Sequence, residues 1–434
     1  MNQEVTTEPL TELTPRRSQR PGDGPLETDV LVVGGGPGGA ATAYHLASHG
    51  VDVLCVDKAT FPREKVCGDG LTPRGVRAIQ KMGVDPDEPG FVRTDALRTY
   101  GENGIVLNLP WPKLDDFPSF GLVRTRHDFD DLLLQRAVKA GARLWEGTEA
   151  TAPTFDRGWV TGATIKDPDG GTQDVKARFV IAADGASSRF AKKAGVERDE
   201  TRPLGIAARR YYRTSRRQDP VLESFLNLRD HDAFLPGYGW IFPLGDGVLN
   251  VGAGLLNTFR DFKGISARKV FDVFIANVPL EFELDEEHAI SPLLSGPLPM
   301  GMNRRPLAVP GLLLVGDAGG IVNPYNGEGI AYAMESGELA AEVIADALAR
   351  NRPGIAAMYP SLLRERYGSY FHTGRWFVKA IGNPLVMQLA VKYGFPQEAL
   401  MRFALGFMAN LSDGKKGNGQ DKLMYVLQSL ASEN

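Results

Sequence analysis

The sequence predicts an α/β protein: a Rossmann-type dinucleotide-binding domain, an inserted mixed β-sheet domain and a C-terminal helical region. Three observations predict it. An apolar run, a glycine triplet, a helical stretch and a second apolar run ending in an acid follow one another between Thr28 and Asp57. A second strand–glycine–helix unit starts at Leu312. Between the two, segments 99–120 and 201–289 alternate apolar residues and carry turn residues, the pattern of short strands. The resulting division gives 28–98, 121–200 and 290–345 to the dinucleotide domain, 99–120 and 201–289 to the insertion, and 346–434 to the helical region.

A chain of 434 residues is too long for one ordinary core, and 43% hydrophobic content is normal for a folded globular protein. The net charge of −4 excludes a typical nucleic-acid binder. Only two cysteines occur, Cys55 in an apolar run and Cys67 in a glycine-rich loop, which fits a reducing compartment and a cytoplasmic location better than a disulfide scaffold. Residues 1–27 are polar and broken by prolines, and read as a disordered tail. "RRSQR" within it lacks the apolar stretch of an export signal. No apolar run is long enough to span a membrane, and no internal repeat is visible.

In "TDVLVVGGGPGGAATAYHLASHGVDVLCVDK", Val30 to Val33 read as a buried parallel strand, Ala40 to His49 as a helix, and Val51 to Val56 as the next strand. Gly34 permits the tight turn, Gly36 lets a pyrophosphate approach the backbone, and Gly39 lets helix and strand pack closely. The helix N-terminus offers free N–H groups to the phosphates. Asp57 can accept hydrogen bonds from a ribose.

The unit "LLLVGDAGGIVNPYNGEGIAYAMESGELAAEVI" selects FAD over NAD. Asp317 stands where open α/β sheets place their ligands and can hold a sugar-alcohol hydroxyl. The helix starting near Gly327–Ile330 aims its N-terminus at the site, where it would stabilise the anionic pyrimidine edge of a reduced flavin. A third piece, "VIAADGASSRFAKKAG", runs a strand into Asp184-Gly185 and then a helix.

These three pieces, in this order, resemble the flavin motifs of FAD-dependent oxidoreductases with the p-hydroxybenzoate hydroxylase fold, whose FAD domain is glutathione reductase-like. Further stretches resemble the geranylgeranyl reductase family. "PREKVCGDGLTPRG" fits its P-x-x-K-x-C-G loop. Tyr238, Trp240, Phe242 and Pro243, followed by Gly252 and Gly254, fit its Y-x-W-x-F-P and G-x-G motifs. Arg126 opens an R-x-x-F-D pattern, and the similarity covers roughly residues 28 to 345. The resemblance implies that Gly34, Gly36, Pro37, Gly38 and Gly39 meet the cofactor, with Asp57 and Lys58 at its ribose end. It adds the loop Lys65, Cys67, Gly68, Asp69 and Gly70, then Arg126 and Ala150. Asp184 and Gly185, Gly316 and Asp317, and Gly327, Gly329 and Ile330 complete the set, with no metal. The implied activity is reduction of a prenyl-lipid double bond, menaquinone being the tail most in keeping with "KVCGDGLTPR" and "LPGYGWIFPLGDG".

Alternation puts Tyr238, Trp240 and Phe242 on one strand face. From the residues alone they suit a core before they suit one wall of a slot for something flat and apolar, because buried aromatics are mostly packing. The resemblance places Tyr238 and Trp240 at the substrate. An isolated prenyl double bond has no electron sink, so hydride transfer needs a proton delivered in a dry site. Cys67 is the candidate donor, with Tyr238 another; Cys67 also suits a tight loop between Lys65 and Gly68. Only one Rossmann fingerprint is present and FAD uses it, so the electron donor is a transiently docking NAD(P)H or a protein such as a ferredoxin. The segment Asn383–Gly414 carries apolar residues at helical spacing with few charges. It reads as a helical cap or as a greasy surface resting on a bilayer.

Overall fold

The computed structural model describes residues 26–231, 233–259, 262–417 and 419–429. The expected tail and its "RRSQR" lie outside them, apart from Leu26 and Glu27. Those two are not tail: they open the first strand, Leu26–Val33, and pair with Val175 and Lys176. Leu26 packs against the apolar cluster beneath the sheet, which is reason enough to extend the strand.

Five parallel strands run in the order Leu312–Leu314, Thr172–Ala182, Leu26–Val33, Val53–Val56 and Arg143–Trp145. Val30 to Val33 are all buried because both faces of the strand are covered. Val30 and Val32 face a helical layer, while Leu31 and Val33 face an antiparallel pair, Glu149–Asp156 and Trp159–Lys166. The chain order reverses about Leu26–Val33, so a crevice opens beyond the carboxyl ends of the central strands. Helix Pro37–Ser48 leaves that edge and crosses helix Ile330–Ala349 closely. A β-carbon on Gly337 would sit 2.6 Å from the Gly38 carbonyl oxygen, so only glycine allows the crossing.

The second sheet has seven strands: Leu294–Pro299, Leu204–Arg213, Val248–Leu256, Gly237–Gly245, Val221–Phe225, Ala96–Tyr100 and Val106–Pro110. It is mixed, its one parallel pair joining Val221–Phe225 to Ala96–Tyr100. Its outer face is sealed by helix Ala267–Asn277, whose Phe271 and Phe274 pack with Ile241, Val251 and Leu255. Two segments given to the dinucleotide domain by sequence pair into this sheet instead: Ala96–Arg98, the first part of strand Ala96–Tyr100, and Leu294–Pro299, which pairs with Leu204–Arg209. The latter carries Pro297 and Pro299, which an edge strand tolerates because its outer N–H groups need no partner.

After Ala349 the chain is helical: Tyr359–Ile381, Pro384–Leu389, Glu398–Met408 and Gly419–Ser429. Tyr359 donates its hydroxyl to the Leu314 carbonyl (2.8 Å) and Tyr370 to that of Met408 (2.7 Å), tying this region to the parallel sheet and to itself.

Candidate active site

The phosphate end of the crevice is built by the glycine turn. Gly34 has φ +107°, and a β-carbon there would meet the Ala183 carbonyl oxygen at 2.4 Å. One on Gly39 would meet the Gly34 oxygen at 1.8 Å. Gly36 caps the helix and Pro37 opens it, a position where its missing N–H costs nothing. A β-carbon on Gly36 would lie 3.8 Å from Arg63 Nη2 and 3.9 Å from Arg126 Nη2, so two guanidinium groups flank the open backbone. Arg63 Nη1 is buried without a hydrogen-bond partner. Free helix amides beside an unsatisfied guanidinium N–H fit a pyrophosphate. Arg126 is held by Asp130 through Nε (2.5 Å) and Nη2 (2.7 Å), while Phe129 enters the core. This accounts for the spacing of R-x-x-F-D.

At the ribose end, Asp57 accepts from the Gly35 amide (2.7 Å) and the Ala59 amide (2.8 Å), leaving carboxylate lone pairs for further donors. Lys58 beside it is exposed. Thr148 donates its amide to the Asp57 carbonyl (2.8 Å), which places Ala150 two residues further along the same edge. Asp184 is occupied within its own turn, accepting from Ser188 Oγ (3.0 Å) and the Phe190 amide (2.9 Å). Gly185, at φ +77°, leaves open space beside it.

At the opposite end, Gly329 caps helix Ile330–Ala349. A β-carbon on Gly329 would be 3.5 Å from Asp317 Oδ1. Burial raises the pKa of Asp317, opposed by the positive charges of Lys65 and Arg126. Gly316, at φ +56°, presses against Ala333 and donates its amide to Ser336 Oγ. Gly327, at φ +77°, lies against the Tyr238 hydroxyl.

The loop from Lys65 to Gly70 closes the site from the side. A β-carbon on Gly68 would be 3.4 Å from Trp240 Nε1, and one on Gly70 3.2 Å from Phe242. Asp69, at φ +64° and buried, is the knot of this loop. Its Oδ1 accepts the Arg126 amide (3.2 Å); its Oδ2 accepts the Tyr211 hydroxyl (2.7 Å) and Asn250 Nδ2 (2.8 Å). Burial pushes the Asp69 carboxyl up to about 6, and those hydrogen bonds hold it from rising further. Asn250 Nδ2 also donates to the Cys67 carbonyl (2.8 Å), and its Oδ1 accepts from Trp240 Nε1 (2.9 Å). Burial raises the Cys67 thiol, with Arg126 opposing, so the sulfur keeps its proton. Burial likewise lifts Tyr238 to about 12.

Opposite the loop stands the inner face of the second sheet. Tyr238 and Trp240 have ring centroids 5.8 Å apart, and Tyr238 donates to the Asn326 carbonyl (3.0 Å), just ahead of the helix N-terminus. Cross-strand register pairs Tyr238 with Gly254 and Trp240 with Gly252. A β-carbon on Gly252 would be 2.1 Å from the Trp240 ring. The G-x-G motif is therefore the recess that seats the aromatic pair. Beyond Gly254 the same face continues through the small residues Ala207 and Gly296, with the Val66 side chain against Gly296. Phe242 is half-buried and packs against the cluster that holds Leu222 and Val123.

The structure thus brings Cys67, Asp69, Tyr238 and Trp240 to one place and the glycine turns to the other end of one crevice. Arg63, Arg209, Tyr211 and Asn250 were not found from the sequence. Arg209 is buried, donates to Glu64 (2.7 Å) and the Lys65 carbonyl (3.2 Å), and stacks on Tyr211. Arg209 and Tyr211 at alternate positions of "IAARRYYR", and the lone polar Asn250 inside "VLNVGAG", were the available signal.

Comparison with known proteins agrees with this geometry. The FAD binding domain family model matches residues 27–208. A menaquinone reductase of Mycobacterium tuberculosis is 39% identical over 386 residues, 88% of this chain and 91% of that protein. A digeranylgeranylglycerophospholipid reductase of Thermoplasma volcanium is 32% identical over 369 residues, 82% and 87% of the two chains. The crystal structure of a geranylgeranyl bacteriochlorophyll reductase-like protein from Thermoplasma acidophilum superposes with a TM-score of 0.75 at 28% identity, covering 93% of this chain and all of that one. The chain belongs to the geranylgeranyl reductase family of FAD-dependent oxidoreductases, with FAD as its cofactor.

Proposed function

We propose that this enzyme saturates an isoprenyl double bond in a prenyl lipid, and that the lipid is menaquinone. One observation carries the reading: the aromatic face of the second sheet is turned away from that sheet's own core and toward the loop and helix N-terminus that flank the flavin end of the crevice. Tyr238 and Trp240 offer a rigid apolar wall, and the small residues Gly254 and Ala207 beside it leave that wall free of competing side chains. The names of the relatives, one acting on menaquinone and others on digeranylgeranyl phospholipids, support the substrate class.

Bound FAD, once reduced, supplies the hydride. The chain's own residues do the rest. Gly36 and Arg63 anchor the phosphates, and the N-terminus at Gly329 favours negative charge at the ring's edge. The Asp69 knot fixes Cys67 beside Trp240. Cys67 and Tyr238 both remain protonated at neutral pH beside the aromatic wall, and a hydrocarbon tail lying there would exclude bulk water from them. The reductant is NAD(P)H or a ferredoxin docking transiently. Contact with the bilayer is through the exposed apolar side chains of the C-terminal helices.

Lipid mass spectrometry of a strain lacking the gene tests this reading. Quinone tails are expected to lose two hydrogens per saturated unit and to regain them on complementation. Unchanged quinone tails contradict it.

A further inference from the structure

Between Gly327 and Gly329 the sequence places Glu328, at the mouth of helix Ile330–Ala349, and the reading above gives it no task. Its backbone is fixed on both sides: its amide donates to Asn326 Oδ1 (3.0 Å) and its carbonyl accepts from the Asn323 amide (2.9 Å). Asn326 is the residue whose carbonyl receives the Tyr238 hydroxyl. The Glu328 carboxyl accepts from Thr72 Oγ1 (2.5 Å) through Oε1, while Oε2 is buried with no hydrogen-bond partner. Thr72 does not cap its own helix, Pro73–Lys81, with that hydroxyl, and it lies two residues beyond Gly70 in the Cys67 loop.

An unpartnered buried carboxylate oxygen is costly, and protonation removes most of the cost. We infer that Glu328 is the proton store of the reaction, a positioning acid that resupplies the donor Tyr238, whose hydroxyl lies against Gly327 and is bonded to the Asn326 carbonyl. The inference rests on the reading of the site as a double-bond reductase. Saturation consumes one hydride and one proton. The hydride pair from reduced FAD forms one C–H bond and the alkene π pair forms the other, to the proton. Alone, the donor would be left as a buried phenolate, which burial disfavours. A proton leaving Glu328 in the same step as the donor gives up its own keeps the donor neutral, the electron pair stays on the carboxylate, and solvent reprotonates it between turnovers.

The charged surroundings favour such a store. Thr72, at the N-cap of helix Pro73–Lys81, and Arg74 within it face Glu328, as do Glu335 and Tyr332 from helix Ile330–Ala349. Burial pushes the Glu328 carboxyl up to about 7, Glu335 adds to the rise, and Thr72 and Arg74 oppose it. Glu335 differs because it is neutralised: Arg74 bonds both its oxygens at 2.9 Å, Arg77 bonds one at 3.1 Å and the Tyr367 hydroxyl donates to the other. Asn410 completes the group, bonded to Tyr332 and Arg74. One carboxyl of the pair is thus held ionised and the other sits near the middle of its titration at working pH, the condition for efficient proton transfer.

The test uses the FAD-loaded enzyme, reduced anaerobically and mixed with menaquinone, together with infrared titration of the same protein without substrate. The wild type is expected to lose single-turnover rate as pH rises through neutrality, because the acid form is the active one. It should show a protonated-carboxyl band titrating over the same range. Glu328→Gln should keep its FAD, lose the band, and slow by about 10²–10⁴-fold with a flat pH profile. Glu328→Asp should retain a pH-dependent rate with a displaced midpoint, and it carries the test should the Gln variant fail to hold FAD. A wild-type pH profile in either variant, or a band that survives Glu328→Gln, overturns the inference. A wild-type enzyme that shows the band but does not reduce the quinone tail overturns the function and leaves the assignment of the band intact.

Discussion

Glycines did the most visible work at the residue scale. Gly34 and Gly39 were legible in the sequence because each answers a local demand, a positive φ or a close backbone approach. Gly252 was legible only as part of a motif. Its reason lies across the strand pair, where the Trp240 ring occupies the volume that a side chain would need. Gly252→Val should therefore expel that ring from the recess and break its bond to Asn250. A destabilisation of about 1–3 kcal/mol is expected, seen as a lower urea midpoint with a changed tryptophan fluorescence. FAD content should be retained, since the phosphate end is remote; an unaltered midpoint and spectrum would show that the recess is not needed. The polar knot was harder to see. Asn250 reaches Asp69 across 181 residues and Tyr211 reaches it across 142, and no local pattern announces such a meeting. The Asp184 carboxylate shows the converse: an acid in the expected motif satisfied by its own turn.

Elements were read well where periodicity was strong and both ends carried signals. The fingerprint strand and helix, and the unit beginning at Leu312, have apolar runs, glycines and an N-terminal proline or cap, and they form where expected. The proline-bearing strand Leu294–Pro299 was misassigned because an edge strand needs neither a continuous apolar run nor a full set of N–H donors. The C-terminal helices left two readings open, and each describes part of them. Leu411 and Ala409 are buried against the insertion, while Trp376 is 65% exposed, Leu385 63% and Tyr393 63%. Lys379 lies over the Trp376 ring and Lys392 over that of Tyr393, so cations frame the apolar patch. Among the described residues no helix is long and apolar enough to cross a membrane. A patch of this kind suits the interface of an anionic bilayer. In flotation assays the protein is expected to rise with anionic vesicles, and Trp376→Ser with Leu385→Ser and Tyr393→Ser to remain in the pellet fraction with FAD intact. Equal flotation of both would assign the bilayer contact elsewhere.

At the scale of the whole molecule, two sheets with different jobs face one crevice. The parallel sheet presents backbone amides, guanidinium groups and a helix N-terminus that would hold the charged, hydrogen-bonding FAD. The mixed sheet turns apolar rings and small residues toward the same space. Neither could supply a reaction alone, because the cofactor's electrons need an acceptor held dry beside them and the hydrocarbon needs a proton delivered in step. Anaerobic incubation of the reduced, FAD-loaded enzyme with menaquinone, followed by mass spectrometry of the product, tests this division of labour most directly. The account predicts a tail heavier by two hydrogens, formed without oxygen, and loss of that product on Trp240→Ala with FAD retained. A tail of unchanged mass, or an oxygenated product formed only in air, would contradict it.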